Sequence, residues 1–140
     1  MARRLALLLL VLPLLGGCGG DFMTSTPAFA RFDANEVLKE FRSAGLRVDG
    51  TQDLPRANLG AGAPPFREAK SFAAGKPGSS TTATLFTFDT PADLTAMEEF
   101  IQKKYPKKQR MIPYRNVILV FWVPDVEDSG DYDPVLLGMQ

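Results

Sequence analysis

Few side chains in this sequence can do covalent or coordination chemistry, and the most telling is Cys18, the only cysteine in 140 residues. Leu15-Gly16-Gly17 stand directly before it, and Arg3-Arg4 lead into an apolar run from Leu5 to Leu15 interrupted only by Pro13. A short basic region, a short apolar region and small residues at the cut make a secretory signal, too short for a spanning helix. With the cysteine at the cut, the chemistry implied is lipidation: the thiol takes a diacylglyceryl group and becomes the first residue of the mature chain. An acylated cysteine is no longer a nucleophile, a disulfide partner or a metal ligand. The sequence also has no histidine. Cys-His catalysis, Ser-His-Asp catalysis and zinc sites of the usual Cys/His kind are therefore excluded. An enzyme would have to work through carboxylate, lysine or tyrosine chemistry, such as an acid pair about 5–10 Å apart in a cleft.

Two charged clusters are the other candidates. Asp125, Glu127, Asp128, Asp131 and Asp133 fall within nine residues around Gly130. The spacing is close to that of a calcium loop, with Asp125, Glu127, Asp131 and Asp133 as the ligands, but Leu136 stands where the bidentate glutamate belongs. The same residues also read as a solvated acidic loop. Lys103, Lys104, Lys107, Lys108 and Arg110 form the densest basic cluster. They read either as cations favoured by a helix C-terminus or as a patch for anionic lipid headgroups, each residue worth about 1 kcal/mol close to the surface. Neither glycine-rich stretch holds a cofactor. Gly60-Ala61-Gly62 lacks a third glycine and runs into Pro64-Pro65, and in Gly75-Lys76-Pro77 a proline follows the lysine where a phosphate loop needs Ser or Thr.

The elements that must position these residues begin after the leader. Residues 1–17 are the expected signal peptide, 18–31 the lipidated cysteine and its tether, and 32–140 a single domain. From Cys18 to Asp33 is fifteen residues, a reach of at most about 50 Å. Residues 1–17 hold two of the 16 basic and none of the 16 acidic residues, so the remainder carries a net charge of −2. That balance gives no general attraction to nucleic acid.

Asp33 is placed to cap a helix, with Glu36 closing a capping box and Phe32 stapling against Val37. Val37, Leu38, Phe41 and Ala44 follow at helical spacing, and Gly45 ends it. Leu46-Arg47-Val48 reads as a short strand stopped by Asp49-Gly50. Residues 51–67 have no regular pattern, and a loop of that length is often functional, which makes it a candidate ligand surface. Glu68 to Ala73 and Thr82 to Asp89 read as a hairpin, with Thr82, Thr84, Phe86 and Phe88 sharing one face of the second strand. Thr90, Pro91 and Asp93 announce a second helix whose stripe is Leu94, Met97, Ile101 and Tyr105, ended by Pro106. Met111 to Tyr114 turns at Arg115-Asn116 into Val117 to Val123, an apolar run with no polar face that belongs in the centre of a sheet. Asp133-Pro134 opens one last helical turn over Val135 to Leu137.

Several of these stretches resemble a group of small bacterial lipoproteins of unassigned role, some loosely labelled stress proteins. They are Phe41 with Ala44-Gly45-Leu46, Gly60 with Ala63-Pro64, Phe72, Phe86-Thr87-Phe88-Asp89 leading to Asp93-Leu94, Tyr105, and Asn116-Val117-Ile118-Leu119. The acidic loop and the lysine-rich helix exit depart from that group, and the resemblance supplies no catalytic residue.

The sequence thus implies an α+β domain, with two main helices on a mostly antiparallel sheet of about four or five strands. It also implies a lipid-anchored envelope protein on the extracytoplasmic side of a membrane, held in the bilayer through acylated Cys18. A non-enzymatic binding or interaction module without a cofactor is the first expectation for its role. A small-ligand or calcium-binding lipoprotein using the 51–67 loop or the acidic 125–133 loop is the alternative.

Overall fold

The computed structural model describes Phe29 and residues 31–106, 109–122 and 129–140. Five strands form one antiparallel sheet: β1 (Asp49–Asp53), β2 (Glu68–Ala73), β3 (Thr82–Thr87), β4 (Gln109–Tyr114) and β5 (Val117–Trp122), in the order β1-β2-β3-β5-β4. Helices α1 (Ala34–Ser43), α2 (Pro91–Lys104) and α3 (Tyr132–Gly138) complete the described elements. The domain is α+β, as the patterning implies.

The helices lie on both faces of the sheet. Strands place alternate residues on opposite faces, and the core divides accordingly. Ala83, Leu85, Leu119 and Phe121 pack with α1 and α3 on one side, while Phe86, Phe88, Ile118 and Val120 pack with α2 on the other. β5 is therefore covered on both faces, and its first five residues are fully buried. This is why its sequence shows no polar alternation.

Where local signals decide, sequence and structure coincide. The Thr90 hydroxyl accepts the Asp93 backbone N–H at 3.1 Å and donates to the Asp93 carboxylate at 2.7 Å, with Pro91 in the first turn of α2. Gly45, at φ 80°, ends α1: its N–H reaches Arg42 O at 3.0 Å and the Leu46 N–H reaches Phe41 O at 2.9 Å, the paired bonds of a Schellman stop.

Four expectations need correction. Asp33 makes no side-chain cap on α1. Its carboxylate is taken at 2.6 Å by Arg67, and the Ala34 N–H is capped from the sheet by Glu68 Oε2 at 3.0 Å. An ion pair with a guanidinium, in which both partners are charged, outcompetes the bond from the carboxylate to a neutral backbone N–H. The first strand starts at Asp49, where the sequence reading ended it, because Leu46 and Val48 pack against the core beneath α1 and ladder pairing with β2 begins only after them. Gly50, at φ 60°, absorbs the register shift between Asp49 and Gln52. The irregular segment consequently shrinks to residues 54–67 and contains a short 3-10 turn, Arg56–Leu59. Finally, the last helix is longer than one turn and begins at Tyr132, whose hydroxyl donates to Arg47 O at 2.6 Å and accepts the Gly75 N–H at 3.1 Å.

The chain enters the domain across one end of the sheet. Asn116, in the β4–β5 turn beside Arg115 (φ 51°), is fully buried. Its Oδ1 accepts the Phe32 N–H at 2.8 Å and its Nδ2 donates to Phe32 O at 3.1 Å. Phe32 lies in the α1-face core, whereas Phe29 packs against the α2-face core. Packing thus begins at Phe29, three residues before the expected boundary. No helix among the described residues is long and apolar enough to cross a membrane.

Candidate ligand cleft

At the opposite end of the sheet from Asn116, α2 and segment 54–67 leave a gap between them on the face they share. It is an open, mainly apolar cleft of about 340 Å³, with Leu54 and Leu59 on one wall, Tyr105 and Trp122 on the other, and Ser71, Thr82 and Thr84 as its floor. Clefts of this size that combine apolar walls with a few placed polar groups are the common form of ligand site.

Register places the floor. Ser71 pairs with Thr84 across β2–β3, and Thr82 pairs with Trp122 across β3–β5. Trp122 therefore reaches Thr84 as a diagonal neighbour, its Nε1–H donating to Thr84 Oγ1 at 2.8 Å. The Ser71 and Thr84 hydroxyls share a hydrogen bond at 2.9 Å. Tyr105, the residue at which α2 ends, meets Trp122 edge to face, with ring centroids 5.1 Å apart.

The 54–67 wall is braced from within and from α2. The Leu54 N–H continues the sheet ladder to Ala69 O at 2.9 Å, and Arg56 Nε donates to Ala63 O at 2.8 Å. Lys104 Nζ donates to Leu59 O and lies 5.2 Å and 5.5 Å from the ring centroids of Phe100 and Tyr105. At Gly60, φ is 88° and a Cβ would stand 2.7 Å from Lys104 Nζ, so glycine fits both the backbone and the close approach.

The basic cluster does not assemble into one patch among the described residues. Lys103 is exposed on α2, and Lys104 is turned onto Leu59 at the cleft. Arg110 follows the side-chain parity of Ile112 and faces the α1–α3 side, where it bonds Asp133 and, at 2.7 Å, Ser129 Oγ. Lys107 and Lys108 lie outside the described residues. Of the proposed calcium ligands, Asp125 and Glu127 also lie outside them, Asp131 is exposed, and Asp133 is committed to Arg110. No group of three or more potential metal-ligating side chains is found among the described residues. Cys18 lies outside the described residues as well.

Sequence reading singled out the loop that supplies Leu54 and Leu59 but treated Tyr105 and Trp122 as core, and gave Ser71, Thr82 and Thr84 no role. One signal could have found them. On the α2-facing side of β3, the residues change from Thr82 and Thr84 to Phe86 and Phe88, a switch from hydroxyl to aromatic along a single face. Of the floor hydroxyls, Ser71 and Thr84 are bonded to each other and Thr84 to an indole, while Thr82 at the exposed edge is not, and no carboxylate or amine is among the lining residues. Such an arrangement offers a ligand apolar walls and a few fixed polar groups. Comparison of the chain with protein-family models, with characterised proteins and with solved structures gives no match.

Proposed function

We propose that the protein is a non-enzymatic, lipid-anchored binding module of the bacterial cell envelope. In this reading acylated Cys18 holds it on the extracytoplasmic side of the membrane and the Tyr105–Trp122 cleft takes its ligand. The observation that carries the ligand half is the position of that cleft. It opens at the far end of the sheet from the Asn116–Phe32 junction through which the chain leaves toward Cys18. Strands of six residues separate the two ends by about 17–20 Å. From Cys18 to Phe29 is eleven residues, a reach of at most about 40 Å, so a domain on this tether stays near the bilayer, with its cleft at the end of the sheet remote from Phe32.

Two measurements test the halves separately. Mass spectrometry of the mature N-terminal peptide should show a diacylglyceryl group on Cys18, and Cys18→Ser should move the protein out of the membrane fraction. An unmodified Cys18 in membrane-bound protein would sink the anchor. A photo-crosslinking side chain placed at Thr82 should form an adduct in intact cells that Ser71→Phe, at a half-buried position of the cleft lining, abolishes. The same adduct forming with the cleft filled would sink the site.

A further inference from the structure

We propose that the occupant of the cleft is a neutral glycan, seated with the C–H face of a pyranose ring toward the aromatic wall and its hydroxyls toward the rim; this rests on the reading of the cleft as the ligand site. The polar groups divide between floor and rim. Ser71 Oγ, Thr84 Oγ1 and Trp122 Nε1 are joined by two bonds, of 2.9 Å and 2.8 Å, which use two of their three donors and leave a single hydroxyl proton for a ligand. At the rim, the Gln52 amide, the Thr82 hydroxyl and the Tyr105 phenol make no side-chain hydrogen bond among the described residues. All three are uncharged, and each can both donate and accept.

No charged side chain lines the cleft. Lys104 beside it donates to the neutral Leu59 O, Asp49 in the adjoining groove is paired with Arg47 at 2.9 Å, and the Asp53–Lys70 pair stands on the opposite face of the sheet, in register with Leu85. A charged ligand would be desolvated without a counter-charge. A purely apolar chain would bury three polar rim groups without partners. A ring with one C–H face and a hydroxylated edge avoids both costs.

Through Ser71 and Thr82 the cleft continues into a second open groove of about 290 Å³, reaching Gln52 on β1. From β1 across β2 and β3 to β5 is three interstrand spacings, about 14 Å. The site is a trough across the strands, suited to a chain of rings more than to one compact molecule.

Trp122 is the only tryptophan in the chain, so its emission reports the cleft without labelling. The test uses the full-length protein in a sugar-free detergent, titrated with a neutral tetrasaccharide of N-acetylglucosamine and, separately, with an alkyl-chain probe. A saturable change in Trp122 emission with the saccharide is expected. Gln52→Ala combined with Thr82→Val should weaken it roughly tenfold with the circular dichroism unchanged. Saturation by the alkyl probe alone would overturn the glycan while leaving a ligand cleft in place. A response to neither would overturn the glycan and the cleft together. A saccharide response untouched by the double substitution would place the sugar elsewhere and overturn the proposal.

Discussion

The two faces of the sheet are built from the same strands and differ in how far they are covered. On the α1–α3 face, Leu85, Leu119 and Phe121 are buried beneath two helices, and Tyr132 stacks edge-on against both Phe41 and Phe121. On the other face, α2 and segment 54–67 bury Phe86 and Phe88 and then part over Ser71 and Thr82, with Thr84 still buried between. A strand face can thus change chemistry along its length, and the change marks where its cover ends. Phe121 and Trp122 put the comparison to its strongest test, because they are neighbours on opposite faces. Phe121→Ala should cost about 3–5 kcal/mol in chemical denaturation. Trp122→Phe, which keeps an aromatic wall at a half-buried position, should cost well under half of that. Equal losses would mean that the faces are equally closed.

The two ends of the sheet differ in a parallel way. Asn116 is a closed lock, its amide spent on the Phe32 backbone, whereas the rim of the cleft keeps polar groups unspent. Asn116→Ala leaves a buried N–H and a buried carbonyl unpaired and should destabilise the domain by about 2–4 kcal/mol. It should also raise amide exchange at Phe32 first. Arg110→Ala removes the partner of Asp133 at a half-buried site and should cost about 1–3 kcal/mol, loosening α3 from β4 without altering Trp122 emission. Thr84→Val keeps the volume and deletes the acceptor of the indole N–H. We expect a loss of about 1–2 kcal/mol together with a shift in Trp122 emission; a stability loss with unchanged emission would mean that the floor bond contributes nothing to the cleft.

How legible each part was depends on how far apart the partners lie in sequence. Thr90, Pro91 and Asp93 satisfy the start of α2 within four residues, so reading the chain locally suffices. β5 declares itself through an unbroken apolar run, and β3 through its β-branched and aromatic residues. Asp33 looked like a cap and is taken by Arg67, 34 residues away, and Asn116 looked like a turn residue and holds Phe32, 84 residues away. β1, with the sequence Asp-Gly-Thr-Gln-Asp and every side chain exposed, has no apolar pattern and exists through its ladder with β2. The site divides along the same line. The 54–67 wall was visible as irregular sequence, but its partnership with Tyr105 and Trp122 is set by sheet register, which composition does not encode. Likewise, five cations between 103 and 110 look like one patch until the sheet sends Arg110 to its other face.

The adjacent pair Lys103 and Lys104 gives the smallest effect and the finest discrimination. Both are exposed, and Lys104 in addition holds Leu59 O and stands over two aromatic rings. Lys104→Gln should cost only about 0.5–1 kcal/mol. Even so, it should speed amide exchange at Leu59 and Gly60, because it releases the wall of the cleft from the end of α2. Lys103→Gln should leave stability within about 0.5 kcal/mol and exchange unchanged. Binding to anionic vesicles separates the two roles in the other direction. If lipid headgroups are read by this helix end, Lys103→Gln weakens vesicle binding at low salt and Lys104→Gln does not, since the Lys104 charge is already turned toward the protein. Equal weakening by both would show that the bond to Leu59 opens at the membrane, and with it the wall of the cleft.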